Sequence, residues 1–212
     1  MGDDSTEIVR IEIPKGSRNK YEYDEDLDAI KLDRFLFSSM VYPTDYGYFP
    51  ETCGEDGDAL DAMVCVSEPT FPGCVIEAKP IALFKMEDDQ GIDDKILCVP
   101  IQDPSWNTLS TLDDMPNQLR DEIEHFFSVY KDLEQKKVKV DGWYGRGDAL
   151  TEIQAARERC AEHHSPGDGH GGDSLEDATP VEKLSDKPGG PDGDGEGEPA
   201  SRGSGHEPAD RL

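Results

Sequence analysis

Positive charge is scarce in this sequence. Its 212 residues contain 21 Lys and Arg against 48 Asp and Glu, which gives a formal net charge of −27. A protein with this charge repels both the phosphate backbone of nucleic acids and anionic membrane surfaces. The composition therefore argues against a nucleic-acid or membrane partner and favours a protein that gathers cations.

Aromatic residues are absent from the last part of the chain, since no Phe, Tyr or Trp occurs in residues 165–212. The same 48 residues contain 11 Gly and 6 Pro, and their 12 acidic and 4 basic residues leave a net charge of −8. A segment with so little apolar surface cannot offset the conformational entropy that folding removes. We therefore predict a domain at residues 1–164, followed by a disordered acidic tail at residues 165–212.

Long apolar runs and paired cysteine motifs are also missing. No stretch approaches the roughly 20 apolar residues of a membrane span, and the N-terminus lacks the basic start and apolar segment of a signal peptide. The five cysteines are an odd number without a Cys-x-x-Cys pair, which argues against a disulfide framework or a structural zinc site. We expect a cytoplasmic protein with reduced thiols.

Hydrophobic patterning predicts strands in the first half and helices in the second. A hairpin loop containing Gly91 is expected between the last two strands. Residues 119–133 carry a helical apolar stripe that begins after Pro116, and Asp148 is predicted to cap a second helix ending near Glu162. Many short strands separated by turns indicate a small barrel or sandwich. The predicted strands are residues 8–13, 20–23, 29–37, 62–66, 75–86 and 95–99.

Three aspartates form the densest chemical feature. Asp56, Asp58 and Asp61 stand at i, i+2 and i+5, immediately before an apolar run. Carboxylates this close repel one another unless cations lie between them, and hard cations such as Mg²⁺ take oxygen ligands at about 2.1 Å. The EF-hand pattern of calcium-binding loops does not fit, because Asp61 stands where that loop needs Gly. The alternative interpretation is an acidic surface turn.

Other segments supply a matching set of polar groups. A second acidic cluster occupies residues 87–94, and residues 42–48, with three tyrosines, are predicted to form a tight turn. Carboxylates that collect metal ions, combined with cationic and phenolic donors for phosphate oxygens, are what a phosphoanhydride hydrolase needs. The candidate donors outside these clusters are Lys20, Arg34, Tyr130 and Lys131.

A series of short motifs runs along the chain: Ile11-Glu12-Ile13-Pro14, Lys20-Tyr21-Glu22, Asp33-Arg34-Phe35, Tyr42-Pro43, Tyr46-Gly47-Tyr48, Asp56-Gly57-Asp58 with Asp61, Met86 with Asp88, Gly91, Asp93 and Lys95, His125-Phe126-Phe127, and Tyr130-Lys131-Asp132-Leu133-Glu134. In this order they resemble the soluble family I inorganic pyrophosphatases of the short bacterial type. The resemblance extends from about Ile8 to about Glu162, roughly three-quarters of the chain. It implies a five-stranded closed barrel of the oligonucleotide/oligosaccharide-binding (OB) type, flanked by two C-terminal helices, and assembly as a hexamer.

The resemblance also implies the activity, which is Mg²⁺-dependent hydrolysis of inorganic pyrophosphate to two orthophosphates. Asp58 matches the general base for a metal-activated water, with Tyr46 and Arg34 as further catalytic residues and no covalent intermediate. Several Mg²⁺ ions per active site are implied, and Mn²⁺ is a candidate substitute. The implied metal-binding residues are Glu12, Glu22, Asp56, Asp61, Asp88 and Asp93. The implied substrate-binding residues are Lys20, Arg34, Tyr46, Lys95, Tyr130 and Lys131, with Tyr42 in a supporting position.

The sequence departs from the family pattern at Ala59, where the family usually has proline. Proline would stiffen the aspartate loop, so we expect Ala59 to make the loop more flexible and to lower the stability of the protein by about 0.5–1 kcal/mol. No metal ligand is lost by this exchange. We therefore expect activity with a weaker metal affinity. The tail after residue 164 lies outside the resemblance.

Three alternative functions stay open from the sequence. The first is a metal-dependent phosphohydrolase that acts on nucleotides or polyphosphate. The second is a barrel module that binds oligonucleotides, which the net charge of −19 in residues 1–164 opposes. The third is an acidic buffer of divalent cations that has no turnover.

Overall fold

The computed structural model describes residues 5–163, within which the chain forms nine strands and two α-helices. The predicted acidic tail, residues 165–212, lies outside the described residues. The strands are β1 (Glu7–Ile13), β2 (Asn19–Asp24), β3 (Ala29–Phe35), β4 (Asp45–Tyr48), β5 (Asp61–Val64), β6 (Val75–Asp88), β7 (Gly91–Ile92), β8 (Lys95–Pro100) and β9 (Lys139–Gly145). The helices are α1 (Asn117–Val129) and α2 (Arg146–His163), and 3₁₀ turns occupy Leu112–Asp114 and Asp132–Glu134.

Five strands close into a ring. Strands β1, β4, β5, β8 and β6 pair in this order, and β1 also pairs with β6. The neighbours are antiparallel except β5 and β8, which run parallel with Asp61 opposite Lys95. This ring confirms the predicted mainly β class and its closed arrangement of five strands. Because the ring order differs from the chain order, it brings distant parts of the sequence side by side.

The pairing of β1 with β4 depends on Gly47. This residue lies opposite Ile11, and a Cβ at its position would collide with the carbonyl oxygen of Arg10. Only glycine allows the two backbones to approach this closely. The contact fixes the position of Tyr46, which lies opposite Ile13.

The remaining strands extend the ring or lie apart from it. Strands β7 and β9 both pair with β6, whereas β2 and β3 form a separate two-stranded sheet. In this β2–β3 hairpin, Lys20 lies opposite Arg34. Directly opposed residues of an antiparallel pair project to the same face. The hairpin therefore presents two cations side by side.

The two helices bury their apolar faces in different parts of the core. Helix α1 contributes Ile123, Phe126 and Phe127 to a cluster rich in aromatic rings, which confirms this part of the predicted apolar stripe. The stripe does not extend to Leu133, which lies beyond the end of α1 and is exposed. Helix α2 contributes Ala149 and Ile153 to the second cluster. Neither helix in the described part of the chain is long and apolar enough to cross a bilayer.

Three details of the predicted secondary structure differ from the structure. The second half of the predicted turn at residues 42–48 is strand β4, whose residues are nearly all buried, so the polar alternation of a half-exposed strand is missing. No strand is predicted at β9, because its two glycines and mixed polarity give no strand pattern. The extended conformation of β9 is determined instead by its pairing with β6. Asp148 does cap α2, but from the third residue of the helix rather than from the residue before it. The helix starts at Arg146, and the Asp148 carboxylate accepts the Gly145 N–H at 3.1 Å.

Candidate active site

A cavity of about 440 Å³ is lined by residues of the ring, the β2–β3 hairpin and the end of α1. Its wall collects polar side chains from separate segments of the chain. All of the residues predicted for the site line it except Arg34 and Lys95. Those in the wall are Glu12, Lys20, Glu22, Tyr42, Tyr46, Asp56, Asp58, Asp61, Asp88, Asp93, Tyr130 and Lys131.

The acidic loop, residues 54–61, is held in shape by its own backbone. The Gly54 N–H donates to the Asp58 carbonyl oxygen at 2.6 Å, and the Asp58 N–H donates to the Asp56 carboxylate at 3.2 Å. Gly57 adopts a φ of +97°, a conformation that residues with a side chain rarely accept. This compact turn presents the Asp56 and Asp58 carboxylates to the cavity.

Lys95 lies beneath two of the aspartates. Its side chain is 1% exposed, and its ammonium group donates to Asp61 at 2.7 Å and also to Asp93. Burial raises the pKa of Asp61 to about 6, although Lys95 acts in the opposite direction. Burial would lower the pKa of Lys95, but the two carboxylates outweigh it and raise that pKa. The lysine therefore stays charged and neutralises part of the aspartate pair.

Three buried tyrosines, Tyr42, Tyr46 and Tyr130, form the aromatic side of the cavity. The Tyr46 hydroxyl donates to Asp61, and the Tyr42 ring packs with centroid distances of 5.4 Å to Tyr46 and 4.9 Å to Phe126. Burial raises the pKa of all three phenols well above the ordinary range. They consequently remain neutral and keep their O–H donors.

Glu12 reaches the cavity from strand β1. Its carboxylate accepts the Tyr23 N–H at 2.6 Å. Burial nevertheless raises the pKa of Glu12 to about 7, with a further contribution from Asp61. A cation placed beside this carboxyl group would favour its charged form.

Two lysines in the cavity wall are paired with carboxylates. Lys131 donates to Asp88, and this bond lowers the pKa of Asp88 although burial acts to raise it. Lys20 donates to Glu22 and lies 3.4 Å from Asp33. The cavity is therefore mixed in charge, with cations distributed among the carboxylates.

Arg34 lies outside the cavity wall, where two carboxylates hold it. Its Nε donates to Glu134 at 3.1 Å, and its Nη1 donates to Asp33 at 2.5 Å. The guanidinium still opposes the upward pKa shift that burial gives Tyr42 and Tyr130. The sequence assigns no role to Asp33 or Glu134. No local pattern could indicate the Arg34–Glu134 contact, which spans 100 positions.

The cavity wall also contains polar residues for which the sequence predicts no role. Asp94 accepts a hydrogen bond from Lys85 at 3.0 Å, and its place next to Asp93 is the signal that could have indicated it. Glu152 belongs to α2, so only the packing of that helix brings it to the cavity. The unpredicted charged and amide residues in the wall are Glu25, Glu55, Gln90, Asp94 and Glu152, and three further tyrosines there are Tyr21, Tyr23 and Tyr48.

The donor chemistry fits a hard divalent cation. The carboxylates offer only oxygen atoms, and burial with the repulsion of neighbouring carboxylates raises the pKa of Glu12, Asp56 and Asp61. A bound cation would remove that penalty. As the side chains stand, no three carboxylates, thiols or imidazoles within residues 5–163 converge as an ion requires. The Lys95 ammonium contacts both Asp61 and Asp93, and an ion shared by these aspartates would compete with it.

This arrangement suits a small, highly charged anion that arrives with cations. The carboxylates can bind cations and accept protons, while ammonium groups and neutral phenols can donate hydrogen bonds to anionic oxygens. Both classes of group share one cavity, so a polyanion and its counterions would meet there.

Comparisons with known proteins agree with this chemistry. The family model described as inorganic pyrophosphatase matches residues 9–161, a range that contains every predicted site residue. A protein from Methanosarcina acetivorans named inorganic pyrophosphatase is 57% identical over 162 residues, which are 76% of this chain and 96% of that protein. A protein of the same name from Streptomyces coelicolor is 53% identical over 152 residues, which are 71% of this chain and 93% of that protein.

The fold has a counterpart among solved structures. The crystal structure of inorganic pyrophosphatase from Thermus thermophilus matches with a TM-score of 0.72 at 44% sequence identity. The match covers 76% of this chain and 95% of that one.

Proposed function

This chain belongs to the inorganic pyrophosphatase family, and on that premise we propose how its cavity hydrolyses inorganic pyrophosphate to two orthophosphates. The chain is an enzyme, a diphosphatase, as its relatives are named. The alternative of a phosphohydrolase acting on nucleotides or polyphosphate is not favoured by these matches. One observation carries the proposal, namely that carboxylates and phosphate donors share one cavity of about 440 Å³.

The substrate-binding groups are the cations and phenols around the cavity. Lys20 and Lys131 are paired with Glu22 and Asp88, so they are held in place before substrate arrives. Pyrophosphate oxygens would replace or share these carboxylates, because charge-assisted hydrogen bonds to phosphate are strong. The full donor set in this proposal is Lys20, Arg34, Tyr46, Lys95, Tyr130 and Lys131.

Mg²⁺ is the proposed cofactor, with Mn²⁺ as its substitute. The support is the oxygen-only donor set and the raised pKa of Glu12, Asp56 and Asp61. Divalent ions bound there would neutralise substrate charge and lower the pKa of the attacking water. The residues that would hold them are Glu12, Glu22, Asp56, Asp61, Asp88 and Asp93.

Asp58 is the proposed general base. Its backbone is fixed by Gly54 and Asp56, and no hydrogen-bond donor within residues 5–163 engages its exposed carboxylate. That carboxylate is free to take a proton from the attacking water at the cavity. Arg34 and the lysines stabilise the charge that develops on the leaving phosphate. Water attacks phosphorus directly, so no covalent intermediate forms.

The Asp58→Asn variant tests this assignment. We expect kcat to fall by about 10²–10⁴-fold, the range for loss of a general base, while calorimetric Mg²⁺ binding changes little. Asp26→Asn, at the exposed turn of the β2–β3 hairpin, is the matched control for loss of one carboxylate and should keep wild-type kcat. A near wild-type kcat in Asp58→Asn would show that Asp58 is not the base.

We also propose a cytoplasmic homo-oligomer, a hexamer, as the resemblance implies. Among the described residues, Cys65 and Cys98 are buried free thiols, in keeping with a reducing compartment. Phe35 and Phe37 are 59% and 62% exposed on the single chain. Apolar side chains this exposed are commonly covered in an assembly. Sedimentation equilibrium should give about six times the 23.4 kDa of one chain, and a mass of one chain would contradict the hexamer.

A further inference from the structure

Glu134 lies outside the cavity wall, yet it holds a group that the proposed function uses. Its side chain is 7% exposed, and its Oε1 accepts a hydrogen bond from Arg34 Nε at 3.1 Å. We propose that Glu134 is a positioning residue that orients the Arg34 guanidinium for the substrate phosphate. The inference rests on the proposed function, because it takes Arg34 as a phosphate donor.

The geometry of the guanidinium shows why one partner can orient it. Arginine presents five N–H donors in a rigid planar fork, so fixing one edge fixes the direction of the others. Glu134 engages Nε, and Asp33 engages Nη1 at 2.5 Å. No acceptor within residues 5–163 engages Nη2. Both N–H groups of Nη2 and the second N–H of Nη1 therefore remain as donors for phosphate oxygens.

Burial makes Glu134 the more important of the two carboxylates. Its side chain is 7% exposed against 31% for Asp33, and exposed ion pairs contribute little. Asp33 also lies 3.4 Å from Lys20, so its charge is shared between two cations. In addition, Asp33 lies next to Arg34 on the same strand, so it cannot fix Arg34 relative to other elements. Glu134 can do so, because it belongs to a different element.

That element also carries other phosphate donors. The 3₁₀ turn Asp132–Glu134 directly follows Tyr130 and Lys131, both in the cavity wall. Strands β2 and β3 form a sheet separate from the ring. The Arg34–Glu134 contact thus aligns a donor of the hairpin with the donors at the end of α1. A purely structural link would instead affect stability and leave the turnover of folded enzyme unchanged.

The test compares Glu134→Ala with Glu134→Gln in the full-length enzyme, measuring kcat, KM and Tm. We expect Glu134→Ala to lower kcat by about 10- to 100-fold, as loss of an orienting partner does elsewhere, with a smaller change in KM. Gln keeps an oxygen that accepts from Nε, so Glu134→Gln should recover most of the kcat. Asp132→Asn, an exposed carboxylate in the same turn, is the matched control and should keep wild-type kcat and KM.

A double-mutant cycle connects the effect to Arg34. In the Arg34→Ala background, Glu134→Ala should lower kcat no further, because a positioning residue acts only through the group it positions. Equal loss in both backgrounds would overturn the inference, as would a wild-type kcat in Glu134→Ala. If Arg34→Ala loses kcat while Glu134→Ala keeps it, only the positioning role fails. If Arg34→Ala keeps wild-type kcat, the role of Arg34 in the proposed function fails first.

Discussion

Lys95 Nζ lies 2.7 Å from Asp61 Oδ2, and the two residues are opposite each other across the parallel strands β5 and β8. The same ammonium group contacts Asp93. One buried cation therefore offsets two carboxylates that would otherwise repel each other. This relationship explains how the fold accommodates its acidic cluster before a metal ion binds.

Replacing Lys95 by methionine tests this relationship. Lys95→Met keeps most of the side-chain volume but leaves the two aspartates without their cation. Breaking a buried ion pair in this way costs about 3–5 kcal/mol. We expect the free energy of unfolding in urea to fall by that amount without Mg²⁺ and by less with it, because Mg²⁺ would replace the lost charge.

The control for this prediction is Lys139→Met, which breaks an exposed pair with Glu87. Exposed substitutions of this kind change stability by no more than about 0.5 kcal/mol. If Lys95→Met is as stable as this control, or if Mg²⁺ affects both variants equally, the cation at position 95 does not neutralise the carboxylates of the proposed metal site.

Ala59→Pro tests the stiffness of the acidic loop. The Ala59 N–H donates to no acceptor within residues 5–163, so proline would remove no hydrogen bond of the described fold. Proline at a compatible position raises the free energy of unfolding by about 0.4–1 kcal/mol, because it reduces the conformational entropy of the unfolded chain. We expect Ala59→Pro to reduce the Mg²⁺ concentration needed for half-maximal activity. An unchanged Mg²⁺ dependence would show that loop stiffness does not control metal affinity.

Much of the fold could be predicted from local patterns. Strands β1, β6 and β8 have clear apolar patterns, and α1 has a helical stripe that includes Phe126 and Phe127. Strand β4 could not be predicted, because its burial on both faces removes the alternating pattern. Strand β9 owes its conformation to its pairing with β6 rather than to its own sequence.

The candidate site also contains residues that could be predicted from the sequence and contacts that could not. Twelve of the predicted residues line the cavity. They could be predicted because their motifs occur in the order of a known family, and the family resemblance carries information about the three-dimensional site. Two features of the site could be recognised only from the structure. The burial of Lys95 depends on the parallel pairing of β5 with β8, and the contact of Arg34 with Glu134 joins residues 100 positions apart.

A truncation ending at His164 tests whether the predicted tail has a part in catalysis. Every proposed site residue and Glu134 lie between residues 12 and 134, within the range that the family model matches. We expect the truncated enzyme to keep the kcat, KM and Tm of the full chain. A loss of kcat at unchanged Tm would give residues 165–212 a catalytic or regulatory role.

Cys65 is expected to make stability fall at alkaline pH. Burial raises the pKa of this thiol to about 12 in the folded protein, whereas the pKa of an unfolded cysteine is about 8.5. Between these values the unfolded state loses its proton first, so stability decreases as pH rises, by up to about 1.4 kcal/mol per pH unit.

The Cys65→Ala variant lacks this titration. Its stability in urea should decrease less steeply than that of the wild type from about pH 9 upward. Near neutral pH the thiol is protonated in both states, so the difference there measures only the packing loss. A difference that stays constant up to about pH 11 would contradict the effect of burial on this thiol.

We propose above all that this cavity hydrolyses pyrophosphate with divalent metal ions. The most direct measurement is orthophosphate release from pyrophosphate, ATP and tripolyphosphate during a Mg²⁺ titration, repeated with a chelator and with Asp58→Asn. We expect two orthophosphates per pyrophosphate, the highest kcat/KM for pyrophosphate, no activity with the chelator and a strong loss of kcat in the variant. Hydrolysis that persists with the chelator, or equal kcat/KM for ATP, would contradict this proposal.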